Sequence, residues 1–230
     1  MLCVKNGNVH DAIHEEAYRA DILVEDGRIK AIGEHLETEE GVQIVEAEGL
    51  HVYPGFVEAH GHIGLDGYGI GYEGMDYNEL NDIVSPQLRG IDGVKPMDAA
   101  FPKAAAAGVT CVCVGPGSAN VLGGTFVTIK TVGRRVEDMV VRDNVAMKCA
   151  FGENPKRVYR EKKDSSRMST AALLRETLFK TREYLEKKEA AGDDPTKKPA
   201  FDMKLEALIP VIKGEMPLKA HAHAAEDIFT

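Results

Sequence analysis

Two histidine pairs are the residues of this chain best equipped for chemistry: His60-Gly61-His62 and His221-Ala222-His223. In an extended strand residues i and i+2 point to the same side, so two imidazoles at that spacing can grip one cation from one face. Gly61 lets the backbone run close to such an ion. His60 closes the run Tyr53-Pro54-Gly55-Phe56-Val57-Glu58-Ala59, and the end of an apolar strand is where α/β barrels carry their reactive groups. The second pair follows Pro217-Leu218-Lys219-Ala220 and obeys the same period of two. His10, His14, His35 and His51 fall among turns without such pairing and read as surface or packing residues. Cys3, Cys111, Cys113 and Cys149 have neither the paired spacing of a zinc knuckle nor the density of a disulfide scaffold, and read as reduced and mostly buried. The stretch Gly115 to Gly124 lacks the Gly-Lys-Ser/Thr ending of a phosphate loop and reads as a long loop after a strand.

The elements that must position these residues change character near residue 50. Before it, Leu2 and Val4 precede Asn6-Gly7, Ile22 and Val24 precede Asp26-Gly27, and Ile29 and Ile32 precede Gly33. Asn-Gly and Asp-Gly supply the positive φ of tight hairpin turns, so both are expected to reverse the chain. Another strand is expected over Val42 to Val45, and a boundary separates segments 1–52 and 53–230. After it, strands are expected at Gly55 to Ala59, Val109 to Val114, Val145 to Phe151 and Leu218 to Ala222. Helices are expected over Met97 to Ala107 and Thr170 to Ala190, an alternation that predicts βα units and a parallel sheet. In the longer helix Ala171, Leu174, Leu178 and Leu185 share a face, while Glu176/Lys180 and Glu183/Lys187 pair on the outside. Ala191 to Pro199 reads as an exposed connector.

Composition removes other classes. With 43% hydrophobic residues the chain can bury a core, and its net charge of −9 is wrong for a phosphate backbone or an anionic lipid surface. No nucleic-acid partner is expected. The least polar stretch, Ala104 to Gly117, is broken by glycines and a proline and is too short for a bilayer span. Asn6-Gly7 interrupts the place where a signal peptide would need its apolar core, so a cytoplasmic protein is expected.

The run Pro54-Gly55-Phe56-Val57-Glu58-Ala59-His60-Gly61-His62 resembles the first-barrel-strand signature of the amidohydrolase superfamily of metal-dependent hydrolases, P-G-[FL]-[IV]-[DE]-x-H-x-H. Asp26-Gly27-Arg28-Ile29-Lys30-Ala31-Ile32-Gly33 resembles the companion motif of that family's small N-terminal β-sandwich. The resemblance covers essentially the whole chain and is nearest to the imidazolonepropionase-like members. It implies an α/β fold: a partial TIM-type (β/α) barrel preceded by a small β-sandwich segment. It also implies one or two divalent metals, commonly zinc, and a metal-activated water that attacks a carbon–nitrogen bond of a small-molecule substrate.

By matching position His60 and His62 are metal ligands, and His221 aligns with the family's single fifth-strand histidine. His223 would then touch substrate, or would be the ligand under a shifted register. The bridging ligand is Glu153, at the end of Met147 to Gly152, or a carbamylated Lys148; Glu153 is preferred for its place at the strand end. A whole barrel takes about 250 residues, and roughly fifty of these 230 belong to the first segment. No residue matches the family's later histidine or its final aspartate, the general base, which is expected beyond residue 230. The resemblance therefore implies the N-terminal part of such an enzyme, weakly active alone. The alternative is a non-catalytic or assembly-dependent fragment that binds metal weakly and associates with itself or with a second chain through open sheet edges.

Overall fold

The computed structural model describes residues 1–162 and 165–230, in two compact units, Met1–Gly55 and Phe56–Thr230. The first unit is one five-stranded sheet of β1 (Leu2–Val9), β2 (Tyr18–Glu25), β3 (Arg28–Gly33), β4 (Gln43–Glu46) and β5 (His51–Val52). The order is β3-β2-β1-β4, and β5 also pairs with β1. A single sheet thus stands where a small sandwich is expected. Asp26 (φ 50) and Gly27 (φ 72) close the β2–β3 hairpin with the two left-handed residues such a turn needs. Asn6-Gly7 does not reverse the chain. It is a bulge inside β1, with Asn6 at φ 61 and the register against β2 slipping between Val4 and Gly7. A bulge uses the same positive φ as a turn, and here the Asn6 amide is drawn inward, donating to Asp21 Oδ1 at 2.8 Å.

Asp21 is 3% exposed and also accepts from the Leu36 amide at 2.9 Å, with Lys5 Nζ 3.3 Å away. Burial alone would raise its pKa. The bonds from Asn6, Lys5 and Leu36 outweigh burial and leave it lowered. A carboxyl whose folded pKa lies below its unfolded value of about 3.9 stabilises the fold above that value and stops doing so as pH falls through the folded pKa. Asp21→Asn is therefore expected to cost the first unit about 1–3 kcal/mol at pH 7 and to flatten its acid-unfolding curve below about pH 4. Urea denaturation across that range checks both, and an unchanged acid slope would refute the linkage.

The second unit is built on a sheet of β6 (Phe56–Gly61), β7 (Val109–Val114), β8 (Leu122–Lys130), β9 (Val140–Ala150) and β10 (Leu218–His221), in the order β10-β9-β8-β7-β6. Its helices are α1 (Gly90–Gly93), α2 (Ala100–Ala106), α3 (Val136–Met139), α4 (Glu153–Tyr159), α5 (Arg167–Ala191), α6 (Met203–Ile212) and α7 (Ala225–Ile228). The four expected strands are present. The sheet is nonetheless mixed, because β8 runs antiparallel to both β7 and β9 while β6–β7 and β9–β10 are parallel. The connections explain why. Seven residues join β7 to β8 and nine join β8 to β9, fewer than the dozen or so a parallel crossover requires.

Gly123 and Gly124, which make the stretch look like a loop, are the second and third residues of this buried strand, whose Leu122, Phe126, Val127 and Ile129 are fully enclosed. The two faces of the sheet feed separate cores. Leu122, Met147 and Cys149 pack with Leu174 of α5 and Leu208 of α6, whereas Val112, Val114, Val127 and Ile129 pack with Phe101 of α2 and Met139.

Helix α5 starts at a capping box made by Ser166 and Ser169. Of the expected face Ala171 and Leu174 are buried and Leu178 and Leu185 half-buried, and Thr170, Thr177, Thr181 and Tyr184 join the buried stripe, which makes it more polar than expected. The threonines tolerate burial because Thr170, Thr177 and Thr181 return their hydroxyl hydrogens to the carbonyls four residues back. The outer pairs Glu176/Lys180 and Glu183/Lys187 form as read.

Candidate metal-binding site

Strands β6, β7, β9 and β10 point the same way, so their C-terminal ends share one edge of the sheet. The register sets Gly61 beside Val114 and His221 beside Ala150. The His60 and His62 rings stand edge to face with centroids 5.3 Å apart. His62 Nδ1 lies 2.8 Å from the Gly115 carbonyl, which can only accept, so Nδ1 carries the hydrogen and Nε2 of the neutral ring keeps its lone pair. Tyr77 lies nearly parallel to the His62 ring at 5.3 Å and belongs to the wall of a cleft of about 1020 Å³. Pro116, Ala119 and Gly123 line the same cleft, whose wall does not include His60, His62, Lys148 or His221; the glycine-rich stretch meets the site through the Gly115 carbonyl.

His60 packs against Phe126 at 5.2 Å. Partial burial, then the charges of Lys148, His62 and Lys219, hold its pKa down to about 4. Burial, Lys148 and His223 lower His221 in the same way, and the Asn154 amide meets its Nε2 at 3.1 Å. His60 and His221 are therefore uncharged at neutral pH, the state in which an imidazole can bind a cation. His223 is exposed.

Lys148 is 1% exposed, and burial pushes its pKa down to about 8, helped by Lys219, its direct neighbour in the β9–β10 register. Glu153, by contrast, is exposed in the first turn of α4. Among the described residues no three His, Cys, Asp or Glu side chains come together as a metal cluster, so the expected set of His60, His62, Glu153 and His221 is not gathered in one place. The buried amine shares an electrostatic environment with His60 and His221 that the carboxylate does not.

Sequence reasoning passed over Lys219. From β10 it donates to the Ala59 carbonyl of β6 at 2.6 Å, reaches Cys113 Sγ of β7 at 3.3 Å and lies 4.4 Å above the Phe126 ring of β8. One side chain thus ties the two outermost strands of the sheet, next to His60 on one and His221 on the other. Its place two residues before His221 put it on the same strand face, a signal visible in the spacing.

A crystal structure of an amidohydrolase from Thermotoga maritima MSB8 matches all of this chain with a TM-score of 0.93 and 39% identity, covering 60% of that protein. The chain belongs to the amidohydrolase superfamily. Amidohydrolase tasK of Hapsidospora irregularis is 30% identical over 90% of this chain and 24% of its own length. An allantoinase of Salmonella choleraesuis is 47% identical over 66 residues, 29% of this chain and 14% of that protein. A dihydroorotase of Thermoanaerobacter sp. is 40% identical over 67 residues, 29% of this chain and 15% of that protein. No protein-family model matches the chain. This amidohydrolase chain therefore spans about a quarter of tasK and three-fifths of the Thermotoga protein. No helix among its described residues is long and apolar enough to cross a membrane.

Proposed function

We propose that this chain carries the metal-binding half of a hydrolase that cleaves a carbon–nitrogen bond, amide or cyclic amide, in a small molecule. The observation that carries the reading is the pair of uncharged histidines, His60 and His221, at the ends of β6 and β10 around a buried, weakly basic Lys148. His60 and His62 would hold a divalent cation, with His221 drawn in from β10 as it binds because the three are not gathered in this structure, and zinc is the ion such nitrogen donors favour among abundant divalent metals. Such a cation, when bound, lowers the pKa of a water and polarises the carbonyl it attacks.

The chain's own residues prepare the site. The Gly115 carbonyl fixes the His62 tautomer, Phe126 walls His60, and Asn154 orients His221. Lys148 is a better bridging candidate than Glu153. With a pKa near 8 about a tenth of it is free amine at pH 7, and addition of carbon dioxide to that amine releases a proton and gives a carbamate anion beside the Lys219 ammonium. His223 is left to meet substrate.

Open edges favour a second, compatible reading in which the chain works only when further strands are supplied. Strands β6 and β10 each have a single neighbour, and Val57 on β6 is 66% exposed.

The experiment is elemental analysis of protein purified without added metal, wild type beside His60→Ala/His62→Ala, with both assayed on hydantoin, dihydroorotate and linear amides. Near-stoichiometric divalent metal in the wild type, lost in the double variant, is the expected result. Metal-free wild type would overturn the site. Metal without hydrolysis by the isolated chain, with hydrolysis restored on adding polypeptide that supplies further barrel strands, would favour the second reading.

A further inference from the structure

Strand β10 is an edge strand, paired with β9 alone over Leu218 to His221. It stands at one end of the sheet order, and β6, which carries His60, stands at the other. The ladder to β9 sets the register of His221 but not how far β10 swings from β6. Lys219 supplies that second constraint. Its side chain leaves β10 on the same face as His221. The ammonium donates at 2.6 Å to the carbonyl of Ala59, the residue before His60, and is held from the sides by Cys113 Sγ at 3.3 Å and the Phe126 ring at 4.4 Å. Strands β6, β7 and β8 each contribute one of these partners. The main chain beside His221 is thereby kept within one lysine side chain of the main chain beside His60.

We propose that Lys219 is the positioning residue of the candidate metal site: bonded to the Ala59 carbonyl, it holds β10 where His221 can reach a cation carried by His60 and His62. The inference rests on the hydrolase reading of that site. Two effects of the ammonium oppose each other, and they give the proposal its sign. A positive charge near His60 repels a cation, so a Lys219 that contributed charge alone would weaken metal binding, and its removal would strengthen it. A Lys219 that holds β10 strengthens binding, because the ordering of the strand is not left to the moment the ion arrives. Placement outweighs charge here. The bonded carbonyl offsets part of the charge, whereas a β10 left free to swing puts a whole metal–nitrogen bond at risk.

The test is a double-mutant cycle on the full chain, freed of metal: wild type, Lys219→Met, His221→Ala and the double variant. Zinc(II) affinity is measured by competition with a chromophoric chelator, and the visible absorption of bound cobalt(II) is recorded for each. Lys219→Met is expected to lower zinc affinity about 10-fold or more, as loss of a supporting partner of a metal ligand does, and to weaken the cobalt(II) absorption as a four-coordinate site exchanges a nitrogen for water. In the His221→Ala background the same substitution is expected to change affinity by less than about twofold, because the ligand it positions is gone. Lys219→Arg, which keeps a donor within reach of the Ala59 carbonyl, is expected to restore most of the loss. Urea denaturation identifies a variant that has unfolded, and Lys219→Gln, polar but too short for the carbonyl, then takes the place of Lys219→Met. Zinc affinity unchanged or raised in Lys219→Met, or a loss of equal size with and without His221, would overturn the positioning role and leave the metal site standing. Affinity unchanged in His221→Ala would overturn His221 as a ligand, and the positioning role with it.

Discussion

Replacing Lys148 with methionine is expected to lower bound divalent metal and hydrolysis by at least ~100-fold while leaving the fold as stable as before or more so. Removing even an outer-shell partner of a metal ligand typically costs 10–100-fold, and here the anionic ligand itself would go. Stability moves the other way. A buried amine beside Lys219, with burial and that neighbour both disfavouring its charge, is a cost to folding, and a methionine of similar volume removes it. The divergence separates function from architecture, since a residue kept only for packing would move both readouts together. Metal stoichiometry and urea denaturation on the same preparations decide it. Unaltered metal content in Lys148→Met would return the bridging role to Glu153 or remove it altogether.

The second large effect is expected at Phe126. Its ring is completely enclosed, packs with Cys113 and Ala146, and lies so close to Gly115 that a Cβ there would come within 2.5 Å of it. Truncation to alanine empties that space and is expected to cost about 3–5 kcal/mol in the second unit. The same ring supports the Lys219 ammonium and walls His60, so metal affinity is expected to fall as well. Phe126→Leu, which keeps most of the volume and loses the aromatic face, is expected to recover much of the stability and less of the metal affinity. Denaturation midpoints with zinc titrations measure both, and a loss below about 1 kcal/mol in Phe126→Ala would show that the surrounding strands collapse into the space.

Several local features were legible because they rest on rules that act within a few residues. The period of two placed His60 on one strand, with His62 just past its end, and His221 on another, Asp26-Gly27 announced its hairpin, and the i,i+4 ion pairs of α5 formed as spaced. Asn6-Gly7 carried the same local signal as Asp26-Gly27 and became a bulge, because a hydrogen bond from the Asn6 backbone N–H to Asp21, 15 residues on, decided which use of positive φ prevailed. Strand β8 was hidden by Gly123-Gly124, and only its pairing on both sides with β7 and β9 makes those glycines strand residues.

The sequence by itself determined the residue types and the spacing that can take a cation, and with them the superfamily. Tertiary structure decided that Lys148 is enclosed and depressed in pKa while Glu153 lies open, that Lys219 crosses 160 residues of separation to the Ala59 carbonyl, and that His10 meets His51. Burial and charge–charge coupling depend on which distant strands become neighbours, and no local periodicity carries that information. The strand register supplies it: it sets Lys148 beside Lys219 and His221 beside Ala150, and from that adjacency the electrostatics of the site follow.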